Sequence, residues 1–364
     1  MRIKVFLLVI NLFSTCLVFS QQEELKLNDI RILASHNSYK KNPNKKLLRF
    51  LGRFKKQLGK ENDPIQLDYG HVSLEEQLEN YHVRGFELDV YNDPNGKLYQ
   101  KRKINRFIIG QKMRVKNESM SKPGFKVLHI PDIDFETNYL TFTDALNAIK
   151  RWTDINPNHS PIFVNIEAKG STAADESKFL RIIGFKRAIS FDSLAYQNLD
   201  EEIKKVFGRE KLLTPGDLRS EYSSINERLT TIGWPYLNDC LGKIIFILQG
   251  NNEEIYKQSI DRYEDRVMFV YSEPGEKNTA FIIRNSSQGN ENEISELSKK
   301  FIVRTRTDAG THQARANDYS DYHSVMKSNA QIISTDYYKP DLRWSSYEIK
   351  LEGSNKRKPY ILRY

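Results

Sequence analysis

Glu87 and Asp89 stand two apart in the run Phe86-Glu87-Leu88-Asp89-Val90, a spacing that on an extended chain sends both carboxylates to one face. Two carboxylates so placed repel unless a proton or a cation lies between them. Glu167 closes a second apolar run, Ile162-Phe163-Val164-Asn165-Ile166, and Asn37 follows a third, Ile30 to Ala34. Together they make four oxygen donors with no thiolate. Hard divalent cations prefer such a set, calcium most readily because it accepts several carboxylates in loose geometry. A lone Glu-x-Asp is more often a solvated ion pair, but three strand ends carrying acids or an amide argue for a metal.

Two histidines complete the chemistry. His36 lies beside Asn37, and His129 ends Val127-Leu128-His129. An isolated histidine after an apolar run is more often a hydrogen-bonded core residue than a catalyst. Two of them flanking an acidic cluster change that balance. A phosphodiester between two alcohols needs its charge neutralised, its nucleophile deprotonated and its leaving alkoxide protonated, and a calcium ion with two imidazoles can supply all three.

Short β-rich runs recur with helical segments between them: Ile30 to Ala34, Phe86 to Tyr91, Lys126 to Ile130, Ile162 to Ile166, Ile244 to Leu248, Val267 to Tyr271, Phe301 to Arg304 and Ile332 to Thr335. Eight strands alternating with helices predict an α/β fold of the TIM-type (β/α)8 barrel class, with polar residues at the C-terminal strand ends where such barrels build their sites. On this reading His36 and His129 come from the first and third strands, which neighbour the second. Ala280 to Arg284 is either an extra strand or a replacement for Val267 to Tyr271. Helices are signalled by Ser73-Leu74-Glu75-Glu76, a cap with an acidic first turn, and by Phe142, Leu146 and Ile149 after Thr141. The closing stretch from Tyr347 to Tyr364 reads as an appended strand pair outside the barrel.

The chain has 364 residues, 39% hydrophobic and 28% charged, enough for a full core and unlike a disordered or fibrous composition. Met1 to Ser20 carries Arg2 and Lys4, an apolar run and a small-residue exit at Val18-Phe19-Ser20, which reads as a signal peptide and predicts a secreted or periplasmic protein. Its removal takes the net charge from +9 to +7 and leaves Cys240 as the only cysteine, so no internal disulfide and no thiolate metal site is expected. A single domain from about residue 25 to 364 follows.

Ser35-His36-Asn37-Ser38-Tyr39, Gly85-Phe86-Glu87-Leu88-Asp89, the His129 segment and Pro161 to Glu167 resemble, in order, four motifs of the calcium-dependent phosphatidylinositol-specific phospholipases C. The secreted, single-domain bacterial branch is the most similar, and Ile332 to Tyr337 matches the final strand more loosely. The resemblance implies that His36 contacts the phosphate and assists attack, that His129 protonates the departing diacylglycerol oxygen, and that Asn37, Glu87, Asp89 and Glu167 hold Ca2+. One of the glutamates would take the proton of the inositol 2-hydroxyl, whose attack gives a cyclic phosphate. Lys169, Arg304 and Arg306 are candidate phosphate contacts and Tyr337 a candidate inositol platform. The fifth strand, Ile245-Phe246-Ile247-Leu248-Gln249, lacks the lysines that hold extra ring phosphates in multidomain members, which favours plain phosphatidylinositol.

Two rivals differ in their motifs. Glycerophosphodiester phosphodiesterases also use a Glu-x-Asp pair and two histidines, but usually open on His-Arg-Gly where this chain has His36-Asn37-Ser38. A non-catalytic lipid-binding barrel would not need every reactive residue kept. No aromatic-basic stripe suits nucleic acid, and no protein partner is implied. The expected partner is phosphatidylinositol in a membrane surface. Leu47, Leu51, Phe54 and Leu58 fall at helical spacing among lysines and arginines and predict an amphipathic helix that lies on that surface, the competing expectation being an ordinary core helix.

Overall fold

The computed structural model describes residues 25–60, 62–260 and 266–363. The expected leader, Met1 to Ser20, lies outside the described residues. Among the described residues ten strands occur in the order β1 Ile30–Ser35, β2 Gly85–Tyr91, β3 Lys126–Val127, β4 Ile162–Ala168, β5 Ile244–Gly250, β6 Met268–Val270, β7 Phe281–Ile283, β8 Ile302–Arg306, β9 Ile332–Thr335 and β10 Tyr360–Leu362. Eight of them run parallel in the spatial order β6-β5-β4-β2-β1-β9-β8-β7. Between β6 and β7 only one bridge forms, Tyr271 with Phe281, so the barrel is nearly rather than fully closed.

Alternation along the strands decides what faces the barrel axis. Phe86, Leu88 and Val90 of β2, with Val164 and Ile166 of β4, pack outward under the helices. The inward set is apolar over the first half of each strand, with Ile32, Ala34, Phe163, Ile245, Ile247 and Phe269 in one cluster. Further along, the inward positions of the same strands turn polar. Gly85 permits the closest approach of β1 and β2, since a Cβ there would lie 2.5 Å from that of Ala34.

Helices cover the outside as their caps and stripes dictate. Ser73 accepts from the Glu76 amide and opens Leu74–Asn80, which buries Leu74 and Leu78. Thr141 does the same for Phe142–Ile155, which buries Phe142, Leu146 and Ile149.

Four expectations change. Lys126 to Ile130 is not a barrel strand: β3 pairs antiparallel with the end of β2, and the chain reverses at once through Pro131 and Asp132, whose φ is 68°. The place in the barrel belongs to β7, inside the Ala280 to Arg284 run, so β4 rather than β3 is the second neighbour of β2. The closing segment contributes one strand and not a pair; β10 runs antiparallel to the first half of β1, matching Ile30 with Leu362 and Ile32 with Tyr360. The amphipathic stretch breaks into Lys45–Gly52 and Lys55–Leu58. Leu47 and Leu51 are buried against Ile104, Ile108 and Tyr99 in a satellite core, while Phe54 and Leu58 remain exposed.

Candidate functional site

The strand register assembles the acids. In the β2–β4 pair Asp89 lies opposite Glu167 and Glu87 opposite Asn165, all on the inward face. One carboxylate oxygen from each of Glu87, Asp89 and Glu167 falls within 4.8 Å of the others. Asn37 joins them from β1: the Ser38 amide donates to the Glu87 carbonyl at 3.0 Å, and the Ser38 hydroxyl accepts from the Glu87 amide at 2.8 Å. The Asn37 backbone is left-handed, φ 46°, a conformation asparagine tolerates better than most residues. Its amide nitrogen donates to the Tyr69 hydroxyl at 2.8 Å, leaving the carbonyl oxygen as the atom it can offer a cation.

Positive groups share this mouth. Lys169 lies 2.8 Å from Glu167 and 3.5 Å from Asp89, and Arg304 donates to Glu87. Burial works against the Lys169 charge, yet Asp89 and Glu167 hold its pKa above the ordinary value. Burial, then Glu167, pushes Asp89 well above the usual carboxylate range. Among the described residues Asp89 Oδ1 is buried without a hydrogen-bond partner, and so are both polar atoms of the Asn165 amide. Orphaned oxygens among three carboxylates fit a hard cation, and Asn37, Glu87, Asp89 and Glu167 would hold it.

Each histidine is backed by a carboxylate. His36 Nδ1 is 2.9 Å from Asp336 on the segment after β9, and Arg306 donates to His36 Nε2 at 3.3 Å. Glu87 lies 3.5 Å from the same Nε2. Burial, then Arg306, lowers the His36 pKa well below its ordinary value, which favours the neutral ring; the carboxylate at Nδ1 and the guanidinium at Nε2 suit the tautomer with its proton on Nδ1. His129 Nδ1 is 2.8 Å from Asp134, and its backbone carbonyl accepts from the Tyr91 hydroxyl at 3.1 Å. Asp134 is buried with Lys40, 3.3 Å away. Burial raises its pKa, but Lys40 and His129 outweigh that and hold the carboxyl below the usual range.

A cavity of about 580 Å³ opens beside these groups, lined by His36, Glu87, Glu167, Arg304, Arg306 and, from β5 to β7, Gln249, Tyr271 and Ile283. His129 stands outside that lining, close enough for its charge to bear on His36. Lys169 touches the acids. Tyr337 does not reach the cavity: one residue on from Asp336 its side chain leaves the opposite face and packs against Tyr347 in the outer core. Tyr271 stands in the lining instead, its buried hydroxyl without a partner among the described residues. Sequence reasoning missed Asp134, Asp336 as a partner of His36, Asn165 and Tyr271. Asp336 and Asn165 carried a signal as polar residues within quoted motifs, and Tyr271 as the polar end of the quoted run Val267 to Tyr271; Asp134 carried none.

The family model described as "Phosphoinositide phospholipase C, Ca2+-dependent" matches residues 25–359. No curated protein gave a significant match. Among solved structures the chain is similar to a calcium-dependent phosphoinositol-specific phospholipase C from Pseudomonas sp, in its myoinositol complex, at TM-score 0.52 and 15% identity over 91% of this chain and 94% of that one. It is also similar to the Ca2+-dependent phosphatidylinositol-specific phospholipase C of Streptomyces antibioticus, at TM-score 0.52 and 15% identity over 86% and 95% of the two chains. At such identity these likenesses speak for the shared barrel.

Proposed function

The chain belongs to the calcium-dependent phosphoinositide phospholipase C family and is thus a phosphodiesterase, and from that premise we propose how its own residues cleave phosphatidylinositol. The observation that carries the reading is the pair of histidine–aspartate couples, His36–Asp336 and His129–Asp134, alongside the Glu87, Asp89 and Glu167 cluster. Calcium, when bound by Asn37, Glu87, Asp89 and Glu167, supplies the positive charge that offsets the phosphate oxygens. His36, unprotonated at Nε2 and steadied by Asp336, accepts the proton of the inositol 2-hydroxyl as that oxygen attacks phosphorus. We assign this step to His36 rather than to a glutamate because Glu87 and Glu167 are committed to the cation.

His129 protonates the glycerol oxygen as its bond to phosphorus breaks, and Asp134 stabilises the charged ring before the proton leaves. The products are diacylglycerol and inositol cyclic phosphate. Arg306 and Lys169 contact the phosphate, and Tyr271 supports the inositol ring within the cavity; the myoinositol complex of the Pseudomonas relative supports a ring site in this fold. The substrate sits in a membrane surface, and the leader expected over Met1 to Ser20 directs the activity to the secreted or periplasmic side.

The test is purified protein on phosphatidylinositol vesicles with calcium and with chelator, products followed by phosphorus NMR. Cyclic phosphate formed with calcium and suppressed by the chelator is the expected result. Turnover unaffected by chelation, or glycerophosphoinositol cleaved while the intact lipid is not, overturns it.

A further inference from the structure

We infer that the helices Lys45–Gly52 and Lys55–Leu58, with the segment after β2 running from 97 to 117, form one docking face for an anionic lipid bilayer. The inference rests on the proposed lipid cleavage only for its choice of occupant. Residues 41–60 and 97–117 contain sixteen lysines and arginines and no aspartate or glutamate. Taking these sixteen from the net +9 of the chain leaves the remainder at −7. The basic character of the whole protein is therefore the property of two segments.

Folding joins those segments. The Lys46 ammonium donates to the Ile109 carbonyl at 3.2 Å, and the Phe50 ring stacks on Phe107 at 6.2 Å and tilts against Phe54 at 5.4 Å. Leu47, Leu51, Ile104 and Ile108 hold the pair from beneath. Above them large apolar groups remain in water: Ile109 is 93% exposed, Phe107 45% and Phe54 44%. Apolar side chains ringed by cations match the depth profile of an anionic membrane, hydrocarbon inside and phosphate at the edge. Nucleic acid would use the cations but has no place for the aliphatic Ile109.

The face sits where docking serves the site. Both segments leave the C-terminal ends of their strands, β1 and β2, the rim that carries His36, Asn37 and the acids. The second is also pinned to the turn that holds Asp134: Lys103 donates its amide to Asp132 at 2.9 Å, and Arg102 pairs with Glu136 at 3.1 Å.

The experiment measures cosedimentation of the full chain with vesicles of phosphatidylcholine and phosphatidylglycerol, which contain no substrate, and separately turnover of a soluble inositol phosphodiester. Phe54→Ser/Ile109→Ser should weaken vesicle binding about 10- to 100-fold while soluble turnover stays unchanged. Wild-type binding should also fall steeply with salt and with removal of phosphatidylglycerol. Ile109→Ser alone, at a site with almost no packing, guards against misfolding of the double variant. Unchanged vesicle binding in both variants overturns the inference. So does heparin or DNA binding that exceeds vesicle binding and ignores the substitutions. Loss of soluble turnover in the wild type would instead strike the catalytic reading and leave docking to be judged on the vesicles.

Discussion

Asp134 pairs with the buried Lys40 and the half-buried His129, and replacing it separates its structural role from the catalytic one proposed for it. The Asp134 and Lys40 side chains are both fully buried, and the Lys40 ammonium also donates to the carbonyls of Leu67 at 2.7 Å and Tyr69 at 2.8 Å. Asp134→Asn leaves that ammonium in the interior without its counter-charge, which costs about 3–5 kcal/mol. It also takes from His129 the carboxylate that orients the ring and stabilises its charged form. Cleavage of phosphatidylinositol should fall by about 10²–10⁴-fold, the size of a lost acid–base contribution. Pairing it with Lys40→Met removes the stranded charge, so denaturant unfolding of Asp134→Asn/Lys40→Met should regain much of the lost stability, less the two carbonyl bonds. Activity should not return. With a nitrophenyl leaving group, which departs without protonation, all three proteins should differ far less. Recovery of both stability and natural-lipid cleavage in the double variant would show that Asp134 only neutralises Lys40, and His129 would lose its positioning partner.

Asp89→Asn should abolish the rise in thermal stability that calcium gives the wild type, checked by melting with calcium and with chelator. Because the folded Asp89 carboxyl has a raised pKa, the metal-free protein holds that proton more tightly than the unfolded chain does. Its stability should therefore fall as pH climbs from the ordinary carboxylate range toward neutrality, and the variant should lose that part of the slope. Tyr271→Phe should leave unfolding free energy unchanged or slightly raised, since the buried hydroxyl has no partner, while kcat/KM on phosphatidylinositol drops about 5- to 10-fold. An unaltered kcat/KM would remove Tyr271 from the inositol site.

The parts of the site that lie on long inward-facing strands were legible, because period-two alternation fixes side-chain direction from sequence alone. Glu87, Asp89 and Glu167 are of this kind. His129 is not: its segment has the apolar look of a barrel strand, but Pro131 and the left-handed Asp132 turn the chain back, and only that turn brings Asp134 to the imidazole. No spacing rule encodes it. Tyr337 failed for the converse reason, a one-residue parity that Asp336 claims for the inward face. Leu47 and Leu51 obeyed the helical period, yet periodicity does not say which surface a stripe meets. Here Ile104 and Ile108 supplied a local core, and the exposed apolar groups moved to the break after Gly52 and to the neighbouring loop.

The first strand pairs with β2 through a single match, Ala34 with Gly85, and takes the rest of its ladder from β9 and β10. Those strands come after every other strand in chain order among the described residues. His36 waits 300 residues for Asp336, and its own amide bonds to Thr335. A nascent chain carries the His36 imidazole on a strand with almost no committed neighbour, and the long-range closure waits for β9 and β10. Until β9 and the residue after it exist, His36 lacks both Asp336 and the Thr335 carbonyl that holds its amide, so the order of synthesis sets the order in which these contacts can form.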